Sequence, residues 1–273
     1  MVITMVNKSG GRGKTFSCRV MALMLKAIGY KVLVIDADHM TILSDKYSAR
    51  TENVMTLYDV LIKNDPSIIR EAIQTIKYEK EMTIKGFELS IKYERDIIPG
   101  SDKLRDVNEK LKTDPAGKYR LKNLLSSLDD YDFIFIDMPQ ISEINELVYN
   151  CLIASDTVII PVHHELILKL NSPLIDALKT IKSEINDKLN FGILQIENDD
   201  CKNRRNKIAK IADEMAIKLF DHYICMEFQN ILTYNEALAY FDLITKDLEI
   251  PILDDKTKFL EYLFTKISRL EAF

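Results

Sequence analysis

The sequence predicts an α/β fold, a doubly wound and mostly parallel sheet with helices on both faces. Short apolar runs recur along the 273 residues with helically patterned segments between them. Several of these runs are apolar throughout instead of alternating, as strands buried on both faces are. The first run passes through a glycine-rich turn into a helical pattern and then into a second run within 38 residues, the strand–helix–strand arrangement of a parallel sheet.

Taken in order, "MVITMV" (1–6) is the first strand, and the helix after it is read from Val20, Leu23, Met24 and Ala27 between Thr15 and Gly29. "KVLVIDAD" (31–38) is a buried strand closed by two aspartates. Residues 52–94 are long and charged, and read as helices with a surface excursion over 77–92 whose structure the sequence leaves open. Further strands are expected at "RDIIPGS" (95–101), "YDFIFIDMP" (131–139), "DTVIIPV" (156–162) and "NFGILQI" (190–196), with a final amphipathic helix over 256–273. No linker or repeat interrupts the series, so one domain is expected over 1–273.

Composition narrows the class. An apolar content of 47% and few glycines and prolines describe a folded chain with a large core, not a disordered one. No apolar run approaches the ~18 residues that cross a bilayer, and no leader pattern opens the chain, so a cytoplasmic protein is expected. Cys18, Cys151, Cys201 and Cys225 are scattered without a C-x-x-C pair, which suggests free thiols instead of a zinc site or disulfide framework. A net charge of -5 argues against a globally basic nucleic-acid binder but leaves room for a local patch.

The chemistry concentrates in "VNKSGGRGKTFS" (6–17). In an open parallel sheet ligands bind at the carboxyl ends of the strands, and this is the first strand-to-helix turn. Gly10, Gly11 and Gly13 let backbone N–H groups turn inward around an anion, and the following helix directs its positive end at the same place. Lys14 supplies a charge to β- and γ-phosphates, and the Thr15 hydroxyl suits Mg²⁺. Asp137 closes the strand "FIFID" as a carboxylate holding that cation would, while Asp36 and Asp38 close "VIDAD" at the same sheet edge.

With these blocks in place the chain resembles the ParA/MinD family of deviant Walker A ATPases, P-loop NTPases, and most closely the ParA side. "NKSGGRGKT", "VLVIDADHM", "RDIIPGSDKL", "YDFIFIDMPQ", "SDTVIIPVHHE" and "FGILQIEND" appear in the family's order over nearly the whole chain, with "NVMTLYDVL" and "NEALAYFDLITKD" as further likenesses. The resemblance implies that Gly10, Gly11, Arg12, Gly13, Lys14, Thr15 and Phe16 bind ATP and that Thr15, Asp36 and Asp137 serve Mg²⁺. Lys14 and Asp38 are then the catalytic pair, Asp38 positioning the attacking water. It also implies a homodimer in the ATP state, binding to nonspecific DNA of the nucleoid, and slow hydrolysis stimulated by a ParB-like adaptor. Plasmid, chromosome or protein-organelle cargo would be positioned in this way.

The departures are specific. Ser9 stands where the family's signature lysine reaches across the dimer, as in McdA-like variants, and Lys8 is one residue early. Arg12 and Lys169 are the candidates to replace it. His39-Met40 replaces the family's Pro-Gln, and Phe16 replaces a threonine.

"KNRRNKIAK" (202–210) carries Lys202, Arg204, Arg205, Lys207 and Lys210 without an acid, enough for salt-sensitive DNA binding and equally compatible with a solvated helix start. The alternative within the family is a MinD-like membrane-associated division regulator, whose membrane helix would be 256–273 with Leu260, Leu263, Phe264, Ile267 and Leu270 on one face. The nearly balanced charge there favours a helix packed on the sheet, so membrane binding is the weaker expectation. A dimeric ATP-dependent clamp or scaffold with negligible hydrolysis is the other alternative.

Overall fold

The computed structural model describes residues 1–10, 13–84, 87–197, 201–225 and 234–251; for 78–93, 197, 201–203, 225 and 234 it describes the backbone alone. Nine strands are described: β1 (Val2–Asn7), β2 (Val32–Asp36), β3 (Gln74–Ile84), β4 (Phe87–Ile98), β5 (Phe133–Gln140), β6 (Thr157–Val162), β7 (Asn190–Glu197), β8 (Lys218–Leu219) and β9 (Ile224–Cys225). They form one sheet in the order β3-β4-β2-β5-β1-β6-β7-β8, with β9 also on β7. Every pairing is parallel except β3 with β4.

Eleven α-helices are described: α1 (Lys14–Ala27), α2 (Ile42–Tyr47), α3 (Leu57–Lys63), α4 (Pro66–Glu71), α5 (Val107–Lys112), α6 (Arg120–Leu125), α7 (Glu146–Ala154), α8 (Glu165–Leu170), α9 (Ser172–Glu184), α10 (Cys201–Glu214) and α11 (Tyr234–Asp242). Alternate residues of each central strand feed two separate cores, which is why these strands read as unbroken apolar runs. Ile3, Val32, Val34, Phe133 and Phe135 pack with α1, α2 and α11 on one face. Val6, Leu33, Ile35, Ile134 and Ile136 pack with α3 to α10 on the other.

The expectation of helices and a surface excursion over 52–94 is corrected. Helices α3 and α4 do form, opened by a Thr56–Asp59 capping box and by Asp65 accepting from the Ser67 N–H. Gln74–Ile84 and Phe87–Ile98 then pair as a long antiparallel ribbon, which takes in the described residues of 77–92. The lysines and glutamates of this stretch follow a period of two, and the register sets Lys77 opposite Glu94 and Glu79 opposite Lys92, pairs that suit a ladder. β4 also carries the strand expected at 95–101 back to Phe87. The expected helix at 256–273 lies outside the described residues.

Candidate nucleotide site

The winding changes direction at β1, whose neighbours are β5 and β6, so the crevice beyond its carboxyl end is where a ligand is expected. β1 ends at the buried Asn7, whose Nδ2 donates to the Pro161 carbonyl on β6. Its Oδ1 accepts from the Ser9 N–H at 2.8 Å and from Asn171 Nδ2 at 3.1 Å. Asn171 Oδ1 in turn accepts from the Lys8 N–H at 3.0 Å, which ties the start of the loop to the start of α9. Gly10 passes so close to β5 that a Cβ there would lie 2.7 Å from Gln140 Oε1. Gly13 sits at φ +78, the left-handed region that glycine enters without strain, and turns the chain into α1.

Lys14, the first residue of α1, is 7% exposed and donates from Nζ to the Ser9 carbonyl at 3.2 Å. Burial lowers its pKa, and the nearby Asp137 and Asp38 oppose that shift. The Thr15 hydroxyl donates to Asp137 Oδ2 at 2.6 Å. Asp137 Oδ1 is buried and makes no hydrogen bond to the protein. Burial pushes the Asp137 carboxyl up to about 8, with Asp36 and Asp38 adding to the shift and the Thr15 bond and Lys14 opposing it.

Asp36 is the register partner of Asp137 on the adjacent strand. Its Oδ2 accepts from the Ser44 N–H at 2.8 Å and from Ser44 Oγ at 2.6 Å, and its Oδ1 from the Asp38 N–H at 3.0 Å. Burial raises its pKa to about 6 against the pull of these donors. Ser44 Oγ also accepts from the Gly100 N–H at 3.0 Å, joining the ends of β2 and β4 through α2. Asp38 accepts from the Met40 N–H at 2.9 Å and lies 3.5 Å from His39 Nδ1.

Gly10, Gly13, Lys14, Thr15, Asp36, Asp38 and Asp137 therefore meet at one sheet edge, while Gly11 and Arg12 lie outside the described residues. Phe16 turns its ring toward Tyr240 in the core under α1, with centroids 6.4 Å apart. Ser9 is engaged by Asn7 through both its N–H and its hydroxyl. Lys169 is exposed on α8, the helix that ends at Asn171. On α10, Lys207 and Lys210 are exposed and Arg204 is half-buried, whereas Arg205 donates to the Phe220 carbonyl at 2.7 Å; the side chain of Lys202 is not among those described. The Glu165 carboxyl on α8 is held below its ordinary range by its own N–H, with His164, Lys207 and Arg204 adding to this. The sequence reading missed Asn171, 164 positions from Asn7, and Ser44, eight positions from Asp36, and it gave no role to Gln140 and Gly100 although both stand in the blocks "YDFIFIDMPQ" and "RDIIPGSDKL".

The AAA domain family model matches residues 1–191. The chain belongs to the P-loop ATPases of ParA/MinD type. Among the family's curated members, the chromosome partitioning protein ParA of Caulobacter vibrioides is 27% identical over 230 residues, covering 82% of this chain and 79% of its own. Cobyrinic acid a,c-diamide synthase from Mycobacterium smegmatis, solved with an ATP analogue and magnesium, has the same fold at a TM-score of 0.69 and 19% identity, with 93% of this chain and 99% of that one covered. McdA from Cyanothece, solved as an ATP complex, matches at 0.66 and 19% identity over 97% of this chain and 95% of its own.

Proposed function

We propose that this member of the family binds ATP with Mg²⁺, closes as a homodimer, binds DNA without sequence preference and hydrolyses ATP slowly under an adaptor protein, so as to position DNA or another large cargo. The observation that carries the nucleotide reading is the buried, unpartnered Oδ1 of Asp137 beside the Thr15 hydroxyl and Lys14. A buried carboxyl with a free lone pair next to a phosphate-type loop is what a bound cation needs. Among the described residues no three His, Cys, Asp or Glu side chains make a metal site by themselves, so phosphate oxygens and water must supply the remaining ligands.

In this reading Gly10, Gly13 and the amino end of α1 turn N–H groups toward the phosphates, and Lys14 exchanges the Ser9 carbonyl for a phosphate oxygen. Thr15 and Asp137 hold Mg²⁺, which when bound neutralises phosphate charge. Asp38 orients water, and Asp36, whose oxygens are both engaged, holds the loop that carries Asp38. Lys169 is the described candidate for the charge that crosses the dimer.

Lys14→Ala is expected to weaken ATP binding about a thousandfold, since two charge-assisted bonds at about 1.5–3 kcal/mol each are lost. Lys169→Ala is expected to bind ATP normally and to fail in ATP-dependent dimerisation. Calorimetry and sedimentation read the two effects, and normal ATP affinity in Lys14→Ala would remove the nucleotide reading. A steady-state ATPase assay separates a switch from a clamp that scarcely hydrolyses.

For DNA, the free cations on α10 support a patch made by Arg204, Lys207 and Lys210, which a dimer would double. Lys207→Ala with Lys210→Ala is expected to flatten the salt dependence of DNA affinity by about two counterions per protomer. An unchanged slope would move DNA binding elsewhere. The MinD-like alternative rests on residues 256–273, outside the described ones; among the described residues no helix is long and apolar enough to cross a membrane.

A further inference from the structure

A buried side chain joins the phosphate-type loop to α8. Asn171 is 0% exposed, and it ends α8 while opening α9. Its Nδ2 carries two protons and gives both away, to Asn7 Oδ1 at 3.1 Å and to the Ile167 carbonyl in the last turn of α8 at 2.7 Å. Its Oδ1 accepts from the Lys8 N–H at 3.0 Å. Flipping this amide would set like against like at all three contacts, so its orientation is fixed. Asn7 Oδ1 in turn takes the N–H and the hydroxyl of Ser9, and the Ser9 carbonyl takes Lys14 Nζ. A continuous series of hydrogen bonds thus runs from Lys14 through Ser9, Asn7 and Asn171 to α8.

At the far end of this series, α8 is lightly held. It is six residues long and sends one side chain, Leu168, fully into the core. His164 Nδ1 accepts from the Leu166 N–H at its start, and Asn171 holds its last turn. Leu166 and Leu170 are 61% and 57% exposed, and Lys169 is exposed beside them. At positions i, i+3 and i+4 these three make one outward face. A short helix with one core side chain shifts when an end restraint changes, because few buried contacts oppose the movement.

We propose that Asn171 is a positioning residue that passes the occupancy of the loop to α8, so that nucleotide binding sets the face of α8 offered to a second copy of this chain. This rests on the nucleotide reading above. The two states differ first at one bond, between Lys14 Nζ and the Ser9 carbonyl. A phosphate that takes Lys14 leaves that carbonyl without its ammonium partner, and the backbone around Ser9 turns its N–H groups toward the anion. The donors on Asn7 Oδ1 are then redistributed. Asn171 follows, since it is bonded to the same Oδ1 and to the Lys8 N–H, and it carries the last turn of α8 with it. Lys169, two residues before Asn171, is moved in the same step. Ser9, which stands where the family's lysine is expected, becomes a link in this series instead of a group that crosses the dimer.

Amide hydrogen exchange on the full chain, with Mg²⁺ and a non-hydrolysable ATP analogue as the probe, tests this. In wild type the analogue is expected to change exchange of the Leu168, Leu170 and Asn171 amides about tenfold, and the change should persist on dilution because it arises within one chain. In Asn171→Ala the analogue should still bind, read by calorimetry, while α8 exchanges alike with and without it and nucleotide-dependent self-association weakens about tenfold. A merely structural Asn171 would lower protection in both states and leave the difference between them. Undiminished protection of β1 and β5 amides shows that the variant is folded; if it is not, the milder Asn171→Ser replaces it, with the same loss expected. Bound analogue with α8 unchanged, a response that vanishes on dilution, or a response that survives in the variant each overturns the proposal and leaves the nucleotide reading standing. Failure of wild type to bind the analogue overturns both.

Discussion

The tips of β2 and β5 lie side by side and end in aspartates that are register partners, Asp36 and Asp137, 0% and 2% exposed. Their surroundings differ in one respect. Asp36 takes three hydrogen bonds from Ser44 and Asp38, so it is spent on holding the chain that follows it. Asp137 takes one, from Thr15, and keeps a buried oxygen free. Burial raises both pKa values, to about 6 and about 8, and the extra donors at Asp36 account for the smaller shift. In the proposed reading the carboxylate that the protein satisfies serves the chain around it, and the one left with an unpartnered oxygen serves the cation.

Removing each carboxylate tests that contrast most directly. Asp36→Ala leaves the Ser44 and Asp38 N–H groups without a buried acceptor and is expected to cost about 2–4 kcal/mol in urea unfolding. Asp137→Asn keeps the shape and the Thr15 contact while removing the carboxyl that ionises only above about pH 8, so the nucleotide-free protein should be about as stable as wild type at neutral pH, with the loss confined to Mg²⁺-dependent ATP binding. Equal destabilisation by both would erase the distinction.

The pH dependence sharpens it further. Both carboxyls titrate above the 3.8 of an exposed aspartate, so the folded chain retains protons that the unfolded chain releases as pH climbs. Their contribution to stability is therefore full at acid pH and is lost on raising the pH, through about 6 for Asp36 and through about 8 for Asp137. The difference in unfolding free energy between wild type and Asp137→Asn should widen against wild type from about pH 4 to about pH 8 and level off above it, and a flat difference would place the Asp137 pKa elsewhere.

A smaller loss of stability than that of Asp36→Ala is expected at Gly100, where a Cβ would lie 2.7 Å from the Asp38 carbonyl and 3.1 Å from Asp36 Cγ. Gly100→Ala should cost about 1–3 kcal/mol by displacing the β2 tip, with Mg²⁺ binding at the β5 tip less affected. Thermal unfolding and ATP titration separate the two readouts.

Much of this site was legible in the chain. Gly10, Gly13, Lys14 and Thr15 fall within six consecutive residues, and a loop followed at once by a helix brings them together wherever the helix packs. Asp36 and Asp137 close continuous apolar runs, and parallel winding delivers such ends to one edge. The charged stretch at 77–92 had no structure assigned to it from the sequence because charge alternation does not name its partner, and only the register of Lys77 with Glu94 turns it into a ladder. Arg205 was counted with the DNA-facing cations because nothing local shows that the Phe220 carbonyl lies within its reach.

The sequence by itself determined the sheet, the winding and the phosphate-type loop, because strand burial and turn chemistry are written in periods of a few residues. Only the tertiary structure decided that Asn171 anchors the loop through Asn7 and Lys8, that Ser44 saturates Asp36, and that Asp137 keeps a free oxygen. Asn7 and Asn171 are separated by 164 positions, and hydrogen bonding over that distance depends on which strands become neighbours, not on any pattern near either residue.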